Sequence, residues 1–107
     1  MPYLLSNAWW PSDKTEEVVN KSFEVASKYP PDPSLSEPLV NNCIKPTKKG
    51  ILSISIAEVK KGKLEEALTL ARKTAVEYHN IAGFEYTIEV CSTSIEAFTL
   101  IGRTPPE

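Results

Sequence analysis

A chain of 107 residues, 41% of them hydrophobic and 24% charged, has the size and apolar content of one domain with one core. Its formal net charge of −2 gives neither the basic excess needed against a phosphate backbone nor an acidic tail, which argues against nucleic acid as a partner. Its apolar runs are far shorter than the roughly 20 residues that cross a bilayer, and "MPYLLSNAWWP" carries no basic leader, so a cytoplasmic protein without a membrane partner is expected.

The first expected strand is "YLLSNAWW", residues 3–10, stopped by Pro11, whose ring forces its predecessor into extended geometry. Asp13 and Glu16 stand at capping-box spacing, and Val19, Phe23 and Ala26 recur at helical spacing with Val18, Ser22, Val25 and Tyr29 alongside, which predicts a helix over 13–28. Prolines 30, 31, 33 and 38 then make a stiff surface connector. A hairpin follows, with strands at 39–46 and 51–59 around the turn "TKKG". In its second strand Leu52, Ile54 and Ile56 point one way, and Ser53, Ser55 and Ala57 the other. Leu64, Ala67, Leu68, Ala71, Ala75 and Tyr78 form the apolar stripe of a second helix, which Asn80 and Gly83 stop. "FEYTIEV" alternates as a fourth strand, and "IEAFTLIG" is expected to add a closing strand over 95–102.

The order β-α-β-β-α-β predicts an α+β, ferredoxin-like layer over residues 1–107: an antiparallel sheet with both helices on one face and, through right-handed crossovers, the two central strands side by side. The bulky sides of the third and fourth strands are expected to meet the helices. Ser53, Ser55, Glu85, Thr87, Glu89 and one of Asn41 or Asn42 would then form a mildly polar reverse face.

Residues 54–92, "ISIAEVKKGKLEEALTLARKTAVEYHNIAGFEYTIEVCS", resemble the strand, "V-K-x-G-K", Glu-rich helix and "G-F-x-Y" strand pattern of the dimeric α+β barrel superfamily, which includes antibiotic-biosynthesis-monooxygenase-like and stress-responsive barrel proteins. The resemblance covers over a third of the chain and speaks to fold more than activity. It implies a homodimer through the sheet face opposite the helices, with the closing strand bracing the pair. Some haem-degrading members use an asparagine on the first strand with a tryptophan and a histidine. Asn7, Trp9 and His79 invite that comparison, although the tryptophan of those members does not lie two residues beyond the asparagine.

Trp9 and Trp10 must point to opposite sides of their strand, one under the helices and one on the reverse face or at the strand end. The expected function is binding of a small apolar or aromatic molecule between helices and sheet, with walls from Trp9 or Trp10, Phe23, Tyr78, Tyr86 and His79. One alternative is a cofactor-independent monooxygenase-like or isomerase-like enzyme, in which Asn7 and a tryptophan position the substrate and His79 or Tyr78 handles a proton. Another is a structural dimer filled by its own side chains. No metal or cofactor is expected: one histidine and two distant cysteines do not make a zinc site, and Cys43 and Cys91 read as reduced thiols buried in strands. "ILSISIAEV" carries no aromatic residue for base stacking, no C-x-x-C follows the first strand, and no phosphate-binding glycine loop is present.

Overall fold

Residues 1–106 are described by a computed structural model. Strand β1 (Tyr3–Trp10) stops at Pro11, and Ser12–Lys14 make one 3₁₀ turn before helix α1 (Thr15–Lys28). Asp13 does not cap: Lys14 occupies the N-cap without a side-chain bond, and the Thr15 hydroxyl instead donates to the Ser12 carbonyl at 2.8 Å. Strands β2 (Ser36–Thr47) and β3 (Gly50–Val59) form the hairpin, followed by α2 (Leu64–Val76), β4 (Glu85–Cys91) and α3 (Ser94–Leu100). Gly50 opens β3 at φ +122°, with its α-carbon so close to the Trp10 carbonyl that any side chain would collide with it.

The described residues form an α+β fold with three helices and one open four-stranded antiparallel sheet in the order β2-β3-β1-β4, and close no barrel among themselves. β1 and β3, the strands that lead into α1 and α2, are the central neighbours. No helix among the described residues is long and apolar enough to cross a membrane.

The closing strand expected over 95–102 is instead helix α3. Its start is a capping box: the Thr93 hydroxyl accepts the Glu96 amide at 3.1 Å, and the Glu96 carboxylate accepts the Thr93 amide at 2.8 Å. These bonds satisfy amides that a helix start leaves orphaned, and hold the Glu96 carboxyl below the usual carboxylate range. The Met1 ammonium adds a 3.0 Å ion pair to the same carboxylate. Ile95, Leu100 and Ile101 nevertheless stay exposed.

Register fixes which side of the sheet each residue occupies, because paired residues share a face. Leu4 pairs with Ala57, Ser6 with Ser55, Ala8 with Ser53 and Trp10 with Ile51. Leu4 and Trp10 are buried in the two core clusters that include α2 and α1 residues, so this is the helix side. Leu5–Ile56, Asn7–Ile54 and Trp9–Leu52 occupy the reverse. The expectation for β3 is therefore inverted: Ser53, Ser55 and Ala57 lie under the helices, and Leu52, Ile54 and Ile56 face away. β4 follows the expectation, since Tyr86 pairs with Ala8 and Ile88 with Ser6 on the helix side.

The two cysteines are free, but neither is buried: Cys43 is exposed and Cys91 half-buried. Both sit on strands that edge the sheet, where a small side chain gains no cover.

Candidate functional site

The helix side of the sheet is held up at its two ends. Leu4, Leu35, Val59 and Ala67 pack as one buried cluster, and Trp10, Val18 and Ile81 as another. Between them the central strands present only Ser6, Ala8, Ser53 and Ser55, and the facing turns of α2 present Ala71, Thr74 and Ala75. Small residues opposite small residues leave a gap that the two clusters keep from collapsing. The result is a cavity of about 310 Å³, bordered also by Val18, Val19 and Ser22 of α1, within the size range of small-molecule sites.

One end of the cavity is an aromatic wall. Phe84 stacks on Tyr78 at 4.7 Å between ring centroids and 14° between planes, and on Trp10 at 6.1 Å and 7°. Trp10 is fixed by its indole N–H, which donates to the Thr15 hydroxyl at 3.1 Å. Burial pushes the Tyr78 phenol above its ordinary value, so it stays protonated at neutral pH. Tyr86 continues the wall, tilted against Phe84. Its hydroxyl lies 3.1 Å from Nε2 of His79, whose ring stacks on it.

The other end is polar and is made by the β2–β3 pairing. β2 carries two irregularities, between Pro38 and Val40 and between Val40 and Cys43. The second is a bulge, two residues against one, that puts Asn42 in the left-handed region at φ 59°. There its Oδ1 accepts the Ser55 hydroxyl at 3.1 Å and the Ser53 hydroxyl at 3.4 Å, while its own amide donates to Ser55 Oγ at 3.3 Å. Asn42, Ser53 and Ser55 all border the cavity.

Of the residues singled out from sequence, Trp10, Tyr78 and Tyr86 come together on the cavity. His79 reaches it only through the Tyr86 hydroxyl and is otherwise exposed. Phe23 lies outside it at 72% exposure, because the inward row of α1 is Val18 and Val25. Trp9 sits on the reverse face, beside Lys49 and Glu85 in a separate surface depression. Asn7 borders the cavity, but its side-chain amide bonds the Thr87 hydroxyl at 3.3 Å on the reverse face, and that hydroxyl reaches Glu89 at 3.4 Å. Asn7, Trp9 and His79 therefore do not converge. Sequence reasoning grouped Ser53, Ser55 and one of Asn41 or Asn42 on one polar face but placed that face on the reverse side, and it missed Phe84. The available signal was size matching, since the small residues of β1 and β3 complement Ala71 and Ala75 one helical turn apart.

No protein family, curated protein or solved structure matches this chain. The barrel resemblance thus rests on the order and patterning of the elements alone. Among the described residues no cluster of three or more histidine, cysteine or acidic side chains could hold a metal ion.

The reverse face is a second region of interest. Leu5, Trp9, Leu52, Ile54 and Ile56 are only half-buried, and none belongs to either core cluster. Val40 and Cys43 of β2, paired with Ile56 and Ile54, extend this face and are exposed.

Proposed function

We propose that this protein is a small-molecule binder of ferredoxin-like, dimeric α+β barrel type: two copies pair through the reverse sheet faces, and each holds a small apolar or aromatic molecule in the cavity between helices and sheet. The observation that carries the binding reading is the cavity itself, propped open by two core clusters and lined by rings at one end and hydroxyls at the other. The central position of β1 and β3 supports the fold, and the uncovered aliphatic row of β3 supports the pairing. The enzyme alternative finds less support with His79 as the proton group, since Asn7 bonds on the reverse and His79 bonds a helix-side hydroxyl, while Trp10 and Tyr78 stand together on the cavity.

N-phenyl-1-naphthylamine, an uncharged probe that brightens in apolar surroundings, tests the binding. Saturable fluorescence at one probe per chain is expected, and Ala75→Phe, which fills the gap from α2, should abolish it while circular dichroism stays unchanged. Absence of saturable binding to the unaltered protein would overturn the reading. Native mass spectrometry of the same sample reports whether the chain is paired and whether it retains a molecule from the cell.

A further inference from the structure

The lining of the cavity contains no aspartate, glutamate, lysine, arginine or histidine. A carboxylate, phosphate or ammonium packed against its walls would give up part of its hydration without gaining a counter-charge, so the lining favours an uncharged occupant. The polar end narrows the choice further. A serine hydroxyl has one proton and two lone pairs. Ser53 and Ser55 both spend that proton on Oδ1 of Asn42, and Asn42 is held by its bulge, by its amide bond to Ser55 and by a 3.3 Å bond from its Nδ2 to Asn41. What Ser53 and Ser55 still offer is lone pairs only. At the far end the Trp10, Phe84 and Tyr78 rings lie within 14° of parallel in successive pairs, a surface suited to a flat ring.

Resting on the reading of this space as a ligand site, we infer that the ligand is an uncharged planar molecule, phenol-like or indole-like, that presents an O–H or N–H donor to Ser53 and Ser55 and its ring to Tyr78 and Phe84. Calorimetric titration of the full chain at neutral pH with 2-naphthol, 2-methoxynaphthalene and 2-naphthoate separates the components. Naphthol has the ring and the donor, the methyl ether has the ring without the donor, and naphthoate adds a charge. Naphthol should bind roughly tenfold more tightly than the ether, the value of one well-placed hydrogen bond, and naphthoate roughly a hundredfold more weakly than naphthol, given the cost of burying its charge unpaired. In the double variant S53A/S55A naphthol should fall to the level of the ether. If that variant does not fold, the comparison of naphthol with its ether on the unaltered chain decides alone. Equal affinity for naphthol and ether, or tightest binding of naphthoate, overturns this ligand class and leaves the cavity reading standing; binding of none of the three overturns both.

Discussion

The two sides of the central strand pair differ in a way opposite to the usual arrangement. A sheet covered by helices on one face ordinarily puts its bulk beneath them. Here the middle of β1 and β3 puts Ser6, Ala8, Ser53 and Ser55 beneath the helices, and Leu5, Trp9, Leu52, Ile54 and Ile56 on the other side. The covered side consequently contains a gap, and the uncovered side carries aliphatic surface that water solvates poorly. Under the proposed pairing each anomaly makes sense through the other: a second copy on the reverse would supply the burial that the helix side forgoes, and the chain would be left with interior space to use.

The most direct way to break this comparison is to charge the reverse face. Ile54→Lys places an ammonium at the middle of the row, where a paired copy would bury it. Sedimentation equilibrium should show at least roughly a hundredfold weaker self-association, the size expected for an uncompensated buried charge, with probe binding in the cavity retained. A protein that is already monomeric, or a variant that pairs as before, removes the reverse-face half of the argument.

The tryptophans sharpen the same contrast because they are neighbours on opposite sides. Trp10 is 5% exposed, stacked on Phe84 and hydrogen-bonded to Thr15. Trp10→Ala should cost about 3–5 kcal/mol in urea unfolding, the range for removing a large core ring. Trp9→Ala, measured in the Ile54→Lys background so that pairing does not contribute, should cost less than about 1 kcal/mol. Equal costs would mean that both sides of the strand are core.

Much of this arrangement was legible in the sequence, and the failures have identifiable causes. Alternation in "ILSISIAEV" correctly separates Leu52, Ile54 and Ile56 from Ser53 and Ser55, but period two says which residues share a side and not which side meets a helix. Assigning bulk to the helices inverted β3. The same assumption placed Phe23 inward: two neighbouring rows of α1 have helical spacing, Val19-Phe23-Ala26 and Val18-Ser22-Val25, and the row that buries is the one without the large ring. Trp10, Tyr78 and Tyr86 were found because large rings near a core often border cavities, a criterion that also named Trp9, Phe23 and His79. Asn41 and Asn42 stayed alternatives, because which of them turns to Ser53 and Ser55 depends on a bulge that arises only when β2 pairs with β3. At the C-terminal end the Thr93-x-x-Glu96 helix signature was present, and apolar content was read as a strand over it.

Helix α3 belongs to neither side of the comparison, which makes it a control. Thr93→Ala removes the cap and should destabilise the helix by about 1 kcal/mol, so its amides should exchange with deuterium about fivefold faster. Cavity binding and pairing should not change. If pairing weakens instead, the exposed Ile95 and Leu100 of this helix, and not the β3 row, form the contact between copies.

The smallest effect tests whether the helix side is dry enough to perturb a titrating group. Burial raises the folded-state pKa of Tyr78 above the ordinary value, which is about 10. As pH rises past that ordinary value the unfolded chain loses the proton first, so it binds fewer protons than the folded chain and stability falls with pH. The contribution is complete below the unfolded pKa and disappears as pH climbs through the higher folded value. Urea midpoints measured from neutral pH into the alkaline range should decline more steeply for the unaltered chain than for Tyr78→Phe, which keeps the ring against Phe84 and has no proton to lose. Coincident alkaline slopes would place the phenol in water, and a wetted Tyr78 means that the gap between the two core clusters is open to solvent at its aromatic end.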